Sequence, residues 1–249
     1  MRGWLAIAGL GPGADALMTP EVAQALEAAS DVVGYAPYVA RVPERAGQAR
    51  HASDNRVELD RAREALRMAA EGRRVVVVSS GDPGVFGMAA AVFEALEAEP
   101  AWRDLDIHVL PGVTAMLAAA ARAGAPLGHD FCAINLSDNL KPWALIEKRL
   151  RLAAEADFAM ALYNPRSKAR PEGFARALAV LGEACEPERP IIFARAVSTS
   201  EEQIDIVRLR DAAPEMADMR TVVIVGSSRS RIIKRAGRPF VYTPRSVPA

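Results

Sequence analysis

Short apolar runs alternate with longer amphipathic stretches through the first half of the chain. Leu5–Ala8, Asp31–Gly34, Val75–Ser79 and Ile107–Leu110 have strand length. Three of them, Leu5–Ala8, Val75–Val78 and Ile107–Leu110, are aliphatic or β-branched and read as strands buried on both faces. Between the runs lie helical patterns at Pro20–Ala29, Leu59–Glu71, Gly87–Ala98 and Ala115–Ala123. The first helix is well signalled: Thr19 can cap it, Pro20 suits its first position, and Glu21 complements the dipole. Gly72 and Gly124 are placed to stop two others. Such βα alternation predicts a parallel sheet.

The stretch Ala125–Asp130 breaks this rhythm and marks a boundary, dividing the chain into 1–126 and 127–249. Beyond it, Phe131–Leu136, Phe158–Tyr163, Ile191–Ala194, Thr221–Val225 and Phe240–Tyr242 read as strands, with helices at Trp143–Ala154 and Pro171–Leu181. Gln203–Leu209 alternates apolar with polar residues, as a half-exposed antiparallel strand does. The second half is therefore a further α/β unit with a mixed sheet.

Each of the three buried runs ends in a loop rich in glycine or proline: Gly9-Leu10-Gly11-Pro12-Gly13, Ser79-Ser80-Gly81-Asp82-Pro83-Gly84 and Pro111-Gly112-Val113-Thr114-Ala115. Open parallel sheets bind ligands at the carboxyl ends of their strands, so three such ends with bare backbone point to one small-molecule site. Gly9, Gly11 and Ala14 have the spacing of a dinucleotide fingerprint, but its helix must begin inside the glycine loop, and here the start signals wait until Thr19. Taken alone, that loop is equally an ordinary glycine-rich turn. Asp82 is a lone carboxylate on a backbone path fixed by two glycines and a proline, placed to meet a ligand or simply to close a turn. Thr114 stands where it can cap a helix or face a ligand.

Composition narrows the picture little. The chain has 249 residues, 51% apolar and 25% charged, and a formal net charge of zero, which argues against general nucleic-acid binding. No apolar run approaches the ~18 residues of a membrane span, and Met1–Trp4 leads straight into a strand rather than reading as a signal peptide. Two distant cysteines and three histidines without ligand spacing give no metal site, and a cytoplasmic setting is expected.

Together, in this order and spacing, GLGPG, SSGDPGVFG and PGVTA resemble the tetrapyrrole (corrin and sirohaem) methyltransferase family over nearly the whole chain. The resemblance implies two α/β domains with S-adenosylmethionine folded in a cleft between them, a homodimer, and a tetrapyrrole substrate. Further segments, among them Val33–Tyr38, Ala125–Cys132, Leu136–Trp143, Leu162–Ser167 and Val241–Arg245, are similar to the members that methylate C17 of precorrin-3B and contract the macrocycle in cobalamin biosynthesis. Asn55 departs from the glycine expected there.

By that resemblance, Gly11, Pro12, Ser80, Gly81, Asp82, Val85, Phe86, Thr114 and Ala115 line the cofactor site, with Tyr163, Asn164, Ala196 and Val197 from the second domain. Tyr35, Arg56, Lys141 and Arg166 are the substrate-binding expectations, with Arg195 a further cation. Each basic residue is equally a solvated surface charge. Ring contraction benefits from a positioned acid or base. Asp82, His129 and Lys141 are the catalytic expectations, with Asp15 also possible, and the sequence does not choose among them. Three alternatives stay open: a cobalt-dependent C17-methylating counterpart, a methylase acting at another corrin carbon, and a non-catalytic precorrin carrier. A nicotinamide oxidoreductase is disfavoured by the late helix start.

Overall fold

A computed structural model describes residues 3–54 and 57–246. The chain forms two compact units, Met1–Thr114 and Ala115–Ala249.

The first unit runs β1 (Trp4–Gly9), α1 (Pro20–Ala28), β2 (Asp31–Tyr35), α2 (Ala36–Val39), β3 (Ala49–Ser53), α3 (Glu58–Ala70), β4 (Arg74–Ser79), α4 (Met88–Ala98) and β5 (Asp106–Leu110). Its strands form one parallel sheet in the order β3-β2-β4-β1-β5. Because side chains alternate along a strand, the apolar runs fill both faces. Leu5, Ile7, Val75 and Val77 pack with Leu66, Met68 and Val92 on one face. Ala6, Ala8, Val76 and Val78 pack with Val22, Leu26 and Val39 on the other. The expectation of burial on both faces fails for β5. His108 is exposed and Val109 is 41% exposed, because β5 is an edge strand paired only with β1. His108 is not a core residue: it pairs with Asp106 on its own strand at 2.9 Å, with both side chains more than half exposed.

The second unit runs α5 (Ala115–Ala123), β6 (Gly124–Ala125), β7 (Phe131–Asn135), α6 (Trp143–Glu155), β8 (Ala159–Tyr163), α7 (Gly173–Ala184), β9 (Pro190–Arg195), β10 (Gln203–Arg208), β11 (Thr221–Val225), β12 (Arg231–Ile233) and β13 (Phe240–Tyr242). The main sheet, β10-β9-β11-β8-β7, is mixed: β7 and β8 are parallel, while β11 runs antiparallel to β8 and β9. β10 pairs antiparallel with β9, as its alternation predicts. A second small sheet has the order β12-β13-β6. The core joins Phe174, Phe193, Ile146, Leu150, Met160 and Leu162.

The units divide between Thr114 and Ala115, ahead of the break in rhythm at 125–130. The reason is α5. Ala118, Ala119, Ala120 and Ala123 are buried, and this small-residue face lets the helix pack closely on β10, β11 and β13 of the second unit. Among the described residues, no helix is long and apolar enough to cross a membrane.

Candidate functional site

In the first unit the sheet register sets the three loops side by side. Gly9 lies opposite Ser79 and Ala8 opposite Leu110, so all three strands end at one edge, where Tyr35 also leaves β2. The loops then lock together. Gly81 N–H donates to the Gly11 carbonyl at 2.9 Å, and Gly11 N–H to the Gly81 carbonyl at 3.2 Å. Both glycines have positive φ, +70° and +64°, which side chains rarely adopt. Gly9 and Gly112 are glycine for another reason. A Cβ on Gly112 would lie 2.1 Å from the Gly81 carbonyl oxygen, and one on Gly9 would lie 2.5 Å from that same atom. Three backbones therefore meet with no room for a side chain between them.

Asp82 ties this junction. One carboxylate oxygen accepts the Gly84 N–H at 2.8 Å, and the other accepts the Gly112 N–H at 3.0 Å. Its first task is to hold one loop against another, which differs from the free acid or base that the sequence leaves open. Pro12, Ser80, Asp82 and Val85 stay partly exposed around it, while Thr114 is buried. Phe86 is 49% exposed and adopts φ +54°, a costly conformation for an aromatic residue and one that tends to mark ligand sites.

Arg41 escaped the sequence reading. Its guanidinium donates to the carbonyls of Leu10 (2.8 Å), Gly11 (3.1 Å) and Gly13 (3.1 Å). It thus satisfies the polar backbone of a loop that has no helix to satisfy it. Burial pulls the Arg41 pKa down from its ordinary value, with Asp15 and Tyr38 opposing. Nothing in the local sequence separates Arg41 from its solvated neighbours. Tyr35 and Tyr38 meet edge to face, 5.2 Å between centroids.

In the second unit, β7, β8 and β9 also end at one edge, where Asn135, Tyr163, Asn164 and Ala196 gather. Met116 N–H donates to the Tyr163 hydroxyl at 3.0 Å, fixing the start of α5, where Ala115 lies. Asn164 donates its side-chain amide to Asn135 Oδ1 at 3.1 Å. Asn164, Ala196 and Ser198 all have positive φ, so the backbone is strained where β8 and β9 end. Ala196 and Val197 are buried.

The remaining expectations scatter. Lys141 lies in the β7–α6 loop at this same edge and donates to the Ser137 carbonyl at 2.9 Å. Burial lowers its pKa, and Arg149 and Arg170 lower it further. Arg166 follows β8 and donates to the Pro171 carbonyl at 3.3 Å. Arg195 is held by Asp218 at 2.8 Å. His129 precedes β7, at the opposite end of the strand from Lys141 and Tyr163, about 16 Å of strand away. Within this unit the structure does not bring His129 together with them. Arg56 and Asn55 lie outside the described residues.

A family model for tetrapyrrole (corrin/porphyrin) methylases matches residues 5–213. The chain belongs to this family. Among tetrapyrrole methylases it is 55% identical, over 98% of its length and 97% of the relative's, to a precorrin-3B C(17)-methyltransferase from Sinorhizobium sp. The crystal structure of the methyltransferase CobJ superposes with a TM-score of 0.93 at 67% identity, covering 97% of this chain and 100% of that one. A uroporphyrin-III C-methyl transferase from Thermus thermophilus, complexed with S-adenyl homocysteine, gives 0.67 at 25% identity, covering 90% and 97%.

Proposed function

We propose that this tetrapyrrole methylase transfers a methyl group from S-adenosylmethionine to C17 of precorrin-3B, with ring contraction to precorrin-4, in cobalamin biosynthesis. The near full-length 55% identity to a precorrin-3B C(17)-methyltransferase carries the reading. The thioether product found in the Thermus relative supports the cofactor.

S-adenosylmethionine supplies an electrophilic methyl group on a sulfonium. The residues fit such a ligand, because the locked loops form a rigid frame on which Pro12, Ser80, Val85 and Phe86 stay open to solvent. We assign Gly11, Pro12, Ser80, Gly81, Val85, Phe86, Thr114 and Ala115 to the cofactor, with Asp82 as the residue that positions their loops. Tyr163, Asn164, Ala196 and Val197 carry the same assignment in the second unit. A tetrapyrrole carbon can itself be the nucleophile, so the protein's work is orientation and exclusion of water. Tyr35, Lys141 and Arg166 are assigned to the substrate. A homodimer, which rests on the family resemblance, and a cytoplasmic setting, which rests on the cysteine usage, complete the proposal.

The test is incubation of precorrin-3B with methyl-labelled S-adenosylmethionine, with the product examined by mass spectrometry and NMR. Label at C17 in a contracted ring is the expected result. Label at another carbon, or transfer only to the cobalt complex, would move the protein to another step or to the cobalt-dependent route. Binding without transfer would leave a carrier.

A further inference from the structure

Two arginines of the second unit, Arg189 buried and Arg170 half-buried, are held very differently. Arg189 is met by both Glu186 oxygens, at 2.8 and 3.0 Å, and by Asp157 at 3.1 Å. Arg170, only 15% exposed in its side chain, has much weaker partners. It reaches the Leu136 and Asn164 carbonyls at 3.4 Å each, the Met219 sulfur at 3.6 Å, and Asp138 at 3.9 Å. These lie at or beyond the useful limit of a hydrogen bond, for a group with five donors in a rigid fork.

Its surroundings add positive charge instead of removing it. Lys141 and Arg149 share the neighbourhood, and Asp138 is the carboxylate that acts on Lys141 and lies 3.9 Å from Arg170. Burial, then Arg149 and Arg170, weaken the hold of Lys141 on its proton, with Asp138 opposing. Beside Lys141, the Leu140 side chain is 92% exposed. A partly desolvated guanidinium, an ammonium and a solvent-facing aliphatic side chain together suit an apolar body fringed with carboxylates.

We propose that Arg170 and Lys141 form a carboxylate subsite at the carboxyl ends of β7 and β8, which takes one acid side chain of the tetrapyrrole. The subsite rests on the function proposed above. It makes Arg170, which the sequence did not single out, a substrate-orienting residue. Loss of one charge-assisted, two-pronged bond should be read in substrate affinity and not in the chemical step.

Arg170→Gln, Arg170→Lys and Lys141→Met test it, with KM and kcat for precorrin-3B, S-adenosylhomocysteine affinity by calorimetry, and precorrin-3B binding by fluorescence without cofactor. Arg170→Gln should raise KM roughly ten- to a hundredfold, with kcat within about twofold and S-adenosylhomocysteine binding unchanged. Arg170→Lys should recover part of the loss. Lys141→Met, which leaves the Arg170 contacts with the loop carbonyls in place, should also raise KM. Unchanged KM and unchanged precorrin-3B binding in both Arg170→Gln and Lys141→Met overturn the subsite. So does an equal loss of S-adenosylhomocysteine affinity, which would give the cations to the carboxylate of the cofactor. A wild-type enzyme that transfers normally while the variants match it sinks the subsite alone. A wild-type protein that binds precorrin-3B in the expected order of variants, yet transfers no label, sinks the activity and keeps the subsite.

Discussion

At Asp82 both carboxylate oxygens accept backbone amides from two different loops, so its chemistry is spent on architecture. Asp82→Ala is expected to weaken S-adenosylhomocysteine binding about tenfold by calorimetry, since it frees two amides and the loop they fix. Asp82→Asn, which keeps one acceptor, should fall between. An Asp82→Ala protein with wild-type affinity would remove the loop junction from the site. Gly112→Ala acts on the same junction by collision and should destabilise the fold by about 3 kcal/mol in urea unfolding. Motif residues such as Gly11, Gly81 and Asp82 were legible as a candidate site because three loops in one order and spacing narrow what a single glycine turn leaves open. Arg41 and Arg170 were not, because a long cation reads the same in sequence whether it faces water or the carbonyls of a distant loop. His129 lies at the other end of β7 from Tyr163 and Lys141, which the sequence does not reveal because a residue's place at a sheet edge is set by the strand register.

Elements with strong periodicity were read almost to the residue. α5 spans Ala115–Ala123 as expected, and Thr19 caps α1 through the Val22 amide at 3.3 Å. The elements overlooked are short or polar: α2 with four residues, β6 with two, β12 with three, and β3, whose Ala-Arg-His-Ala-Ser has no apolar period. β3 exists because tertiary contacts supply what its sequence lacks. Asp31, at the start of β2 and 1% exposed, accepts from His51 of β3 at 2.8 Å, from Ser30 at 2.7 Å, and from Arg73. Burial pushes the Asp31 carboxyl up, but the hydrogen bonds from Arg73, His51 and Ser30 outweigh it and hold the pKa below the ordinary value. A depressed carboxyl stabilises the fold above its unfolded pKa and loses that contribution as pH falls through the folded one. Asp31→Asn should therefore cost about 3 kcal/mol at pH 7, with the gap to wild type closing below about pH 4. A gap that is the same at pH 7 and at about pH 2, by urea titration, would show that the ionised form does not matter.

At the scale of the whole molecule, each main sheet leaves edge strands with apolar side chains in solvent. Val109 on β5 and Phe131 on β7 are both 41% exposed. Open edges favour association, and light scattering is expected to give twice the 26.7 kDa chain mass. A monomeric mass at micromolar concentration would overturn the dimer. The division of the chain was only partly legible, because packing by α5 leaves no mark as clear as the proline and glycine run that follows it. The meeting of Gly9, Gly81 and Gly112 has a further consequence for how this chain can vary. Relief of a clash there would have to come from backbone, not from a side chain turning aside. No single replacement at Gly9 or Gly112 has a compensating neighbour one step away. In a saturation library selected for function, those two positions should return glycine alone. Gly182 on α7, where an added Cβ meets nothing within 4 Å, should drift freely. The junction is thus the place where this chain has no room to vary, whatever changes around it.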